Sequence, residues 1–281
     1  MYKKTVGILG GDMRHFHLYR LLLKKGYDAK IYGFDNLCPN DSLDAVLNCQ
    51  KLVLPIPVSR DNISISSLYS SEDIKISDIK QKIGAGTVVY GGIICRSLKD
   101  ISQPFIDYYT NESFVNYNAL LTAEGAISVM MNNTAFSLKD SKVLVVGYGR
   151  IGKYVSKLLK CLGVNVTVSA RKEEDFKDIS LNSCKSIDSN SLIDYDFDAD
   201  VIINTVPHRL FSEEILKKIN RDCLFIELAS PPYSLDFNLA SDMGITLLNA
   251  QGLPSKYAPL SCAHALLSVI FTESKRGEYN E

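Results

Sequence analysis

Residues 142–163, KVLVVGYGRIGKYVSKLLKCLG, place an apolar strand, a glycine-rich turn and an amphipathic helix directly after one another. In such a unit Gly147 allows the tight turn, Gly149 lets a pyrophosphate approach the backbone, and Gly152 lets the helix pack closely on the strand. The N–H groups and dipole at the start of the helix favour an anion. The pattern therefore predicts a dinucleotide-binding turn made of Gly147, Tyr148, Gly149, Arg150, Ile151 and Gly152.

The order of predicted strands and helices along the chain is that of two α/β domains. Six apolar stretches predict the strands of a complete dinucleotide-binding sheet, at 142–147, 164–170, 184–188, 200–206, 223–229 and 244–250. A second series before it predicts another parallel sheet, with strands at 5–9, 28–35, 51–58, 87–93 and 113–118. We expect two Rossmann-like parallel-sheet domains joined by an interdomain helix.

The domain boundaries follow from these series and from the length, because 281 residues suit two domains. We predict an N-terminal substrate domain at 1–118, an interdomain helix at 119–137 and the dinucleotide-binding domain at 138–252. Residues 252–259, GLPSKYAP, belong to a loop that follows the last strand. The segment 253–281 ends in a helix, 261–277, that returns to the first domain, and the tail 278–281 is expected to be frayed.

The end of the second strand of the dinucleotide-binding domain determines which dinucleotide is preferred. An NAD site usually has an acid about 20 residues after the glycines, where it binds the ribose 2′-hydroxyl. Here the strand ends in Ser169, Ala170, Arg171 and Lys172, with no acid before Glu173. A hydroxyl followed by two cations suits a 2′-phosphate. The pattern favours NADP, with NAD possible; the alternative is that the two cations belong to a solvated loop.

Two further loops follow strands of the same sheet, and ligands of open α/β sheets bind at the carboxyl ends of strands. The first consists of Asn204, Thr205, Val206 and Pro207, and the second begins with Leu228, Ala229 and Ser230. We expect both loops to line the nicotinamide side of the site. These residues are also ordinary turn formers.

Candidate acid–base and substrate-binding groups are few. In the first turn, GGDMR (10–14), Asp12 would cap the following helix and repel a phosphate, so a second dinucleotide site is not expected. Arg14 either faces an interdomain cleft and binds a substrate carboxylate or is a surface arginine. Glu124 is the carboxylate best placed to face a cleft, unless it is a helix-surface acid. His208 follows a strand end, where a loop role is as plausible as catalysis.

Composition excludes several classes of partner and site. The 31 basic and 32 acidic residues nearly cancel, which gives no electrostatic argument for nucleic acid or an anionic membrane. The seven cysteines are scattered without CxxC spacing, which speaks against disulfides and against a zinc site. No apolar run approaches the roughly 18 residues of a membrane span. These features predict a cytoplasmic protein with a small-molecule ligand and no metal.

Several motifs together resemble the A-subunit family of dipicolinate synthase. They are GGDMR (10–14), TAEGAI (122–127), GYGRIG (147–152) followed by SAR (169–171), NTVP (204–207), LASPPYSLDF (228–237) and GLPSKYAP (252–259). GYGRIG alone is shared with many dehydrogenases, so the combination carries the resemblance. It implies an NADP-linked oxidoreductase, acting on a CH–CH donor, that converts dihydrodipicolinate to dipicolinate (pyridine-2,6-dicarboxylate) during sporulation.

The resemblance also implies partners and roles for single residues. It implies a flavoprotein-like B-subunit of dipicolinate synthase as partner, an oligomeric assembly and a location in the mother-cell cytoplasm. Arg14 matches the family's GGDxR and becomes the first contact for a substrate carboxylate, Ser59 a second polar contact, and Glu124 the base. Aromatisation supplies much of the driving force, so the protein needs chiefly to position a small dicarboxylate against the nicotinamide.

Two other functions remain open from the residues. A D-2-hydroxyacid dehydrogenase would share the two-domain layout, but we find no matching Arg, Glu and His at that family's spacing in the second domain. A non-catalytic NADPH-binding subunit of a complex would explain the scarcity of acid–base groups. Turnover by the isolated chain distinguishes the last possibility from the first.

Overall fold

The computed structural model describes residues 4–276, with side chains described for residues 4–271. The chain forms two compact units. One takes the chain up to Asn118 and again from Pro254 onwards, and the other is Ala119–Leu253. Each unit is built on its own parallel sheet. The expectation of two Rossmann-like parallel-sheet domains is confirmed.

The first unit contains a five-stranded parallel sheet of order β2-β1-β3-β4-β5. Its strands are β1 (Thr5–Leu9), β2 (Asp28–Tyr32), β3 (Lys51–Val53), β4 (Val88–Gly91) and β5 (Phe105–Asp107). Its early helices are α1 (Met13–Lys24), α2 (Leu43–Leu47) and α3 (Ile76–Lys80). This strand order is the flavodoxin-like variant of the doubly wound fold.

The second unit contains a six-stranded parallel sheet that begins after helix α4 (Glu112–Asn132). Its strands are β6 (Lys142–Val146), β7 (Asn165–Ala170), β8 (Lys185–Asp188), β9 (Val201–Asn204), β10 (Leu224–Glu227) and β11 (Thr246–Asn249). Its helices are α5 (Arg150–Cys161), α6 (Glu173–Leu181), α7 (Glu213–Leu216) and α8 (Phe237–Asp242). The order β11-β10-β9-β6-β7-β8 is that of a complete dinucleotide-binding domain.

Both faces of this second sheet are covered at its centre, which explains why the central strands β6, β9 and β10 are almost continuously apolar. Along β6, Val143 and Val145 lie in one hydrophobic cluster, whereas Leu144 and Val146 lie in another. Successive side chains of a strand point to opposite faces, so each face requires its own apolar partners. The strand order reverses at β6, since β7 and β8 lie on one side of it and β9 to β11 on the other.

The C-terminal segment forms helices α9 (Leu253–Tyr257) and α10 (Pro259–Arg276). Helix α10 packs on α1 within the first unit. The buried Lys51 on β3 donates from Nζ to the Tyr90 hydroxyl (2.7 Å) and to the carbonyl oxygen of Ile270 (3.1 Å). A charged side chain thus links α10, at Ile270, to the sheet.

Some of the expected elements were wrong. Residues 113–118 are the start of α4, not a strand, because the Asn111 side chain accepts a hydrogen bond from the backbone N–H of Phe114 (3.0 Å) and starts the helix there. The last strand of the first sheet is instead the three-residue β5. The helix expected at 119–137 runs from Glu112 to Asn132.

Two smaller differences concern segments with prolines. The stretch 252–259, expected to be a loop, contains helix α9. Pro254 lies in the first turn of this helix, where the missing N–H of proline removes no helical hydrogen bond. The strand expected at 51–58 is shorter in the structure, where β3 ends at Val53. The tail 278–281, expected to be frayed, lies outside the described residues.

Candidate functional site

The glycine-rich turn between β6 and α5 is closed tightly against the loop after β9. Gly147 has φ +97°, and a Cβ there would lie 2.5 Å from Cγ2 of Val206 and 2.6 Å from Oγ1 of Thr205. The Thr205 hydroxyl and backbone N–H both donate to the carbonyl oxygen of Val146, each at 2.9 Å. The turn and the loop therefore hold each other at the carboxyl edge of the sheet, where the strand order reverses.

The N-terminus of α5 is open at the position where a phosphate would approach. Gly149 is the exposed N-cap residue, and a Cβ built on it would meet no atom within 4 Å. By contrast, a Cβ on Gly152 would lie 2.1 Å from the Gly147 carbonyl oxygen. The two glycines thus have separate uses, space for a ligand and close helix–strand packing. This cradle fits the pyrophosphate of a dinucleotide.

The residues between the glycines point in different directions. Tyr148 is buried, and its hydroxyl donates to Oδ2 of Asp178 on α6 (3.1 Å). Burial, and then this hydrogen bond, raise the pKa of Tyr148 well above its ordinary value. Arg150 is exposed at the start of α5 and Ile151 is half-buried. The Tyr148 side chain therefore anchors α6 behind the turn, so only its backbone can serve a ligand.

At the end of β7 the structure separates the residues expected to select the dinucleotide. Ser169 is fully buried, and its hydroxyl lies 2.6 Å from that of Ser189. Ala170 is also buried, whereas Arg171 and Lys172 are exposed. The expected hydroxyl contact is therefore wrong for the Ser169 side chain, which is used inside the domain. The two cations remain available at the edge of the sheet.

The loop after β9 is organised by Asn204, which is fully buried. Its Oδ1 accepts from the N–H of Val206 (3.2 Å), and its Nδ2 donates to the carbonyl oxygen of Val206 (3.0 Å). Thr205 and Val206 are half-buried and Pro207 is exposed. The Asn204 side chain thus shapes the loop from within, and the residues after it form the surface.

The loop after β10 has a similar division. Leu228 and Ala229 are buried and Ser230 is exposed. The Ala229 carbonyl oxygen accepts from Nε2 of Gln251 (2.8 Å), and the Leu228 N–H donates to the carbonyl oxygen of Asn204 (3.0 Å). The two loops expected on the nicotinamide side are therefore hydrogen-bonded neighbours.

One residue of this site was missed from the sequence. Glu227, the last residue of β10, is fully buried and accepts hydrogen bonds from Asn204, Ala229 and Ser234. In the sequence it lies within the apolar strand pattern CLFIELA and was not selected as a candidate site residue. An acid in a central strand was the available signal, because a buried carboxylate requires donors.

In the first unit, the GGDMR turn forms a buried ion pair. Asp12 caps α1 as predicted, accepting from the Arg14 N–H (3.0 Å). Nε and Nη2 of Arg14 donate to the same carboxylate, with Nη2 2.6 Å from Oδ2, and Nη2 also reaches the carbonyl oxygen of Ile56 (3.2 Å). Arg14 is only 6% exposed. Its guanidinium is neither on the surface nor free to receive a substrate carboxylate side-on.

The electrostatics of this turn follow from its burial. Desolvation acts to raise the pKa of Asp12, but His15 and the Arg14 guanidinium together hold it well below its usual range. His15 is fully buried, with Nδ1 3.4 Å from Oδ1 of Asp12 and Nε2 3.5 Å from the Tyr108 hydroxyl. The group is thus a compact polar cluster at the carboxyl end of β1.

Ser59, the expected second polar contact, and Glu124, the expected base, lie in different settings. The Ser59 hydroxyl donates to Oδ1 of Asp61 (2.9 Å) and accepts from the N–H of Asn62 (3.0 Å). The N–H of Ser64, with other donors of this turn, lowers the pKa of Asp61 to about 2. Ser59 therefore stabilises a local turn. Glu124 is exposed on α4 in the second unit.

Comparison with known proteins first identifies the class. Residues 101–231 match the family model of the D-isomer specific 2-hydroxyacid dehydrogenase NAD-binding domain. With the strand order and the cradle at Gly149, this match defines a nicotinamide-dinucleotide-binding domain and supports an NAD(P)-dependent oxidoreductase. No helix within residues 4–276 is long and apolar enough to cross a membrane.

The particular relatives extend over both units. Residues 5–104 match the family model of the N-terminal domain of the dipicolinate synthase A-subunit. The chain is 26% identical to the dipicolinate synthase A-subunit of Bacillus subtilis strain 168 over 280 residues, 94% of each chain. The crystal structure of the A-subunit from Bacillus halodurans has a TM-score of 0.83 at 28% identity, covering 96% of this chain and 97% of that one. The structure of the Bacillus subtilis protein has the same TM-score at 25% identity, covering 100% and 99%. The resemblance to the A-subunit of dipicolinate synthase is confirmed.

Proposed function

We propose that this chain is the dehydrogenase subunit of a dipicolinate synthase, which oxidises dihydrodipicolinate to dipicolinate with NADP. The supporting observation is the likeness of both units to the dipicolinate synthase A-subunit, over 94% of each chain for the Bacillus subtilis relative. The open N-terminus of α5 at Gly149 supports the dinucleotide part independently.

The cofactor part of the proposal assigns the glycine-rich turn to the pyrophosphate and the loops after β9 and β10 to the nicotinamide half. Arg171 and Lys172 are proposed to bind the 2′-phosphate of NADP, since both are exposed at the end of β7, where the adenine ribose binds in this fold. The backbone of Tyr148, Arg150 and neighbouring residues contributes N–H groups. A nicotinamide held by these loops would supply the acceptor for the hydride that the substrate loses.

The oxidation also releases one proton and creates an aromatic ring, so a modest base suffices. Glu124 is proposed for this role, supported by its exposure and by its place in TAEGAI. Arg14 and Ser59 stay predictions from the family motif. Their side chains are engaged by Asp12 and Asp61, so the proposal does not depend on them.

Partners and location rest on the resemblance alone. We propose that the chain assembles with a flavoprotein-like B-subunit and acts in the mother-cell cytoplasm during sporulation. Copurification with that flavoprotein-like partner and a fluorescent fusion followed through sporulation test these two points.

The central test is turnover by the purified chain. Supplied with NADP and freshly generated dihydrodipicolinate precursor, with and without the flavoprotein-like partner, it is expected to form NADPH and dipicolinate in equal amounts. Absorbance at the wavelengths of the two products follows both. Turnover only with the partner indicates a complex-dependent site, while dinucleotide binding without turnover in either mixture indicates a non-catalytic binding protein and refutes the proposal.

A further inference from the structure

Glu227 at the end of β10 is a buried carboxylate that the proposed chemistry does not use. Its Oε1 accepts from Nδ2 of Asn204 (2.6 Å) and from the N–H of Ala229 (2.9 Å). Its Oε2 accepts from the N–H (3.2 Å) and the hydroxyl (2.5 Å) of Ser234. The whole residue has no exposed surface.

Such a group is costly unless every oxygen is satisfied. Burying a carboxylate without donors is strongly unfavourable, because its charge loses the water that would solvate it. Here four neutral donors converge on it: one side-chain amide, two backbone N–H groups and one hydroxyl. Asn204 and Ser234 are themselves fully buried. An apolar residue at this position would avoid the desolvation penalty of a carboxylate. The role of Glu227 is therefore indicated by the four donors that it holds in place.

The network joins segments that are separate in sequence. On one side, Asn204 holds both backbone groups of Val206, and Val206 packs where a Cβ on Gly147 would lie. On the other side, Ser234 is fixed by Glu227, and its carbonyl oxygen accepts from the N–H groups of Leu210 (2.9 Å) and Phe211 (3.0 Å). One carboxylate therefore ties the loop after β9 to the loop after β10.

The location of this network in the sheet shows which half of the proposed dinucleotide site it shapes. It lies on β9 and β10, on the opposite side of β6 from β7, whose end presents Arg171. In this fold the two halves of the sheet receive the two halves of the dinucleotide. The four hydrogen bonds of Glu227 all go to β9 and to the loop after β10. The network therefore shapes the half of the site that lies away from β7.

We propose that Glu227 is a positioning residue for the nicotinamide half of the dinucleotide, acting through the backbone of residues 205–207 and 228–230. The inference rests on the proposed binding of a dinucleotide by the second unit. It predicts that loss of Glu227 weakens binding of the whole dinucleotide but not of its adenosine half. A residue needed only for stability would weaken both ligands together.

The test uses Glu227→Gln, which keeps the shape but turns one acceptor oxygen into an amide donor. The dissociation constants of NADP, NAD, adenosine 2′,5′-bisphosphate and AMP are measured by calorimetry for the full chain. The whole dinucleotide is expected to bind about tenfold or more weakly, a change of about 1.4 kcal/mol, because the loops proposed to line the nicotinamide half lose part of their support. The adenosine fragments are expected to keep their affinity within about twofold, a change below about 0.5 kcal/mol.

Matched variants complete the experiment. Glu214→Gln, at an exposed acid on α7, is expected to change neither class of ligand. Ser234→Ala removes a single donor and keeps the carboxylate, so it is expected to cause a smaller loss of dinucleotide affinity in the same direction. It serves as the test if Glu227→Gln does not fold.

The outcomes separate this inference from the function on which it rests. Equal weakening of fragment and dinucleotide, or no change in either, overturns the positioning role while leaving the dinucleotide site intact. Failure of the unmodified chain to bind any of the four ligands refutes the proposed dinucleotide function, and the inference with it. Selective loss of the nicotinamide-containing ligands supports both.

Discussion

Two glycines of the same turn should respond in opposite ways to one added methyl group. At Gly149 a Cβ would meet nothing within 4 Å, and its φ of −73° and ψ of −168° suit any residue. At Gly152 a Cβ would lie 2.1 Å from the Gly147 carbonyl oxygen and 2.9 Å from its carbon. Gly149→Ala should therefore change ligand binding, and Gly152→Ala should change stability.

The magnitudes follow from these contacts. At Gly152 the closest approach is about 1.3 Å shorter than the 3.4 Å at which ordinary contact begins, and both partners are backbone atoms. Alanine favours a helix by about 1 kcal/mol over glycine. Overpacking of a rigid site costs about 3 kcal/mol, so the net loss is about 2 kcal/mol. Gly149→Ala alters only the N-cap, by about 1 kcal/mol or less, but its methyl occupies the space of the pyrophosphate.

The assay combines urea unfolding with dinucleotide titration for both variants. Gly149→Ala is expected to keep its unfolding free energy within about 1 kcal/mol and to lose about tenfold or more in NADP affinity, the effect of one hydrogen bond to a charged group. Gly152→Ala is expected to unfold at lower urea even without ligand. The reasoning is refuted if Gly149→Ala is the less stable of the two, or if it binds NADP as the unmodified chain does.

Three further predictions concern charged side chains. Replacing both Arg171 and Lys172 by alanine should weaken NADP binding about tenfold, as expected for lost charge-assisted bonds, and leave NAD binding unchanged; the exposed Lys177→Ala is the control, and equal loss for both dinucleotides would contradict the assignment. Asp12→Asn leaves a buried guanidinium unpaired and should cost about 3–5 kcal/mol of unfolding free energy. Because the pKa of Asp12 is lowered by folding, the unmodified chain should lose stability as pH falls below about 4. If the unfolding free energy of Asp12→Asn showed the same dependence on pH, this would be contradicted. Lys51→Met removes the donor that fixes the C-terminal helix, so hydrogen exchange in that helix should accelerate; unchanged protection would refute the anchoring role.

The second sheet could be predicted from the sequence because burial on both faces makes its central strands β6, β9 and β10 nearly unbroken apolar runs. The glycines added the turn and the start of α5. The first sheet was harder at its edge, where β5 has three half-buried residues and no distinctive pattern. The apolar residues of 113–118 suggested a strand, but this segment begins the long helix α4, whose start is stabilised by a hydrogen bond from the Phe114 N–H to the Asn111 side chain.

The geometry of the candidate site could be predicted where it depends on the backbone and less so where it depends on side-chain direction. Gly147, Gly149 and Gly152 act through the absence of a side chain, which sequence shows directly. Whether Ser169 points to the edge or to the interior depends on its neighbours in a sheet buried on both faces, and strand alternation cannot distinguish these cases. The same is true of Arg14, whose partner Asp12 is only two residues away.

Arg14, Lys51 and Glu227 share one property: each is a charged residue at less than 9% exposure. Buried charges persist where other groups satisfy them, so each fixes distant segments: Arg14 reaches Ile56, Lys51 reaches Ile270, and Glu227 joins the loops after β9 and β10. A charged residue inside an apolar strand pattern therefore raises the question of what it holds together. For Glu227 the answer lies at the edge of the sheet where the dinucleotide is proposed to bind.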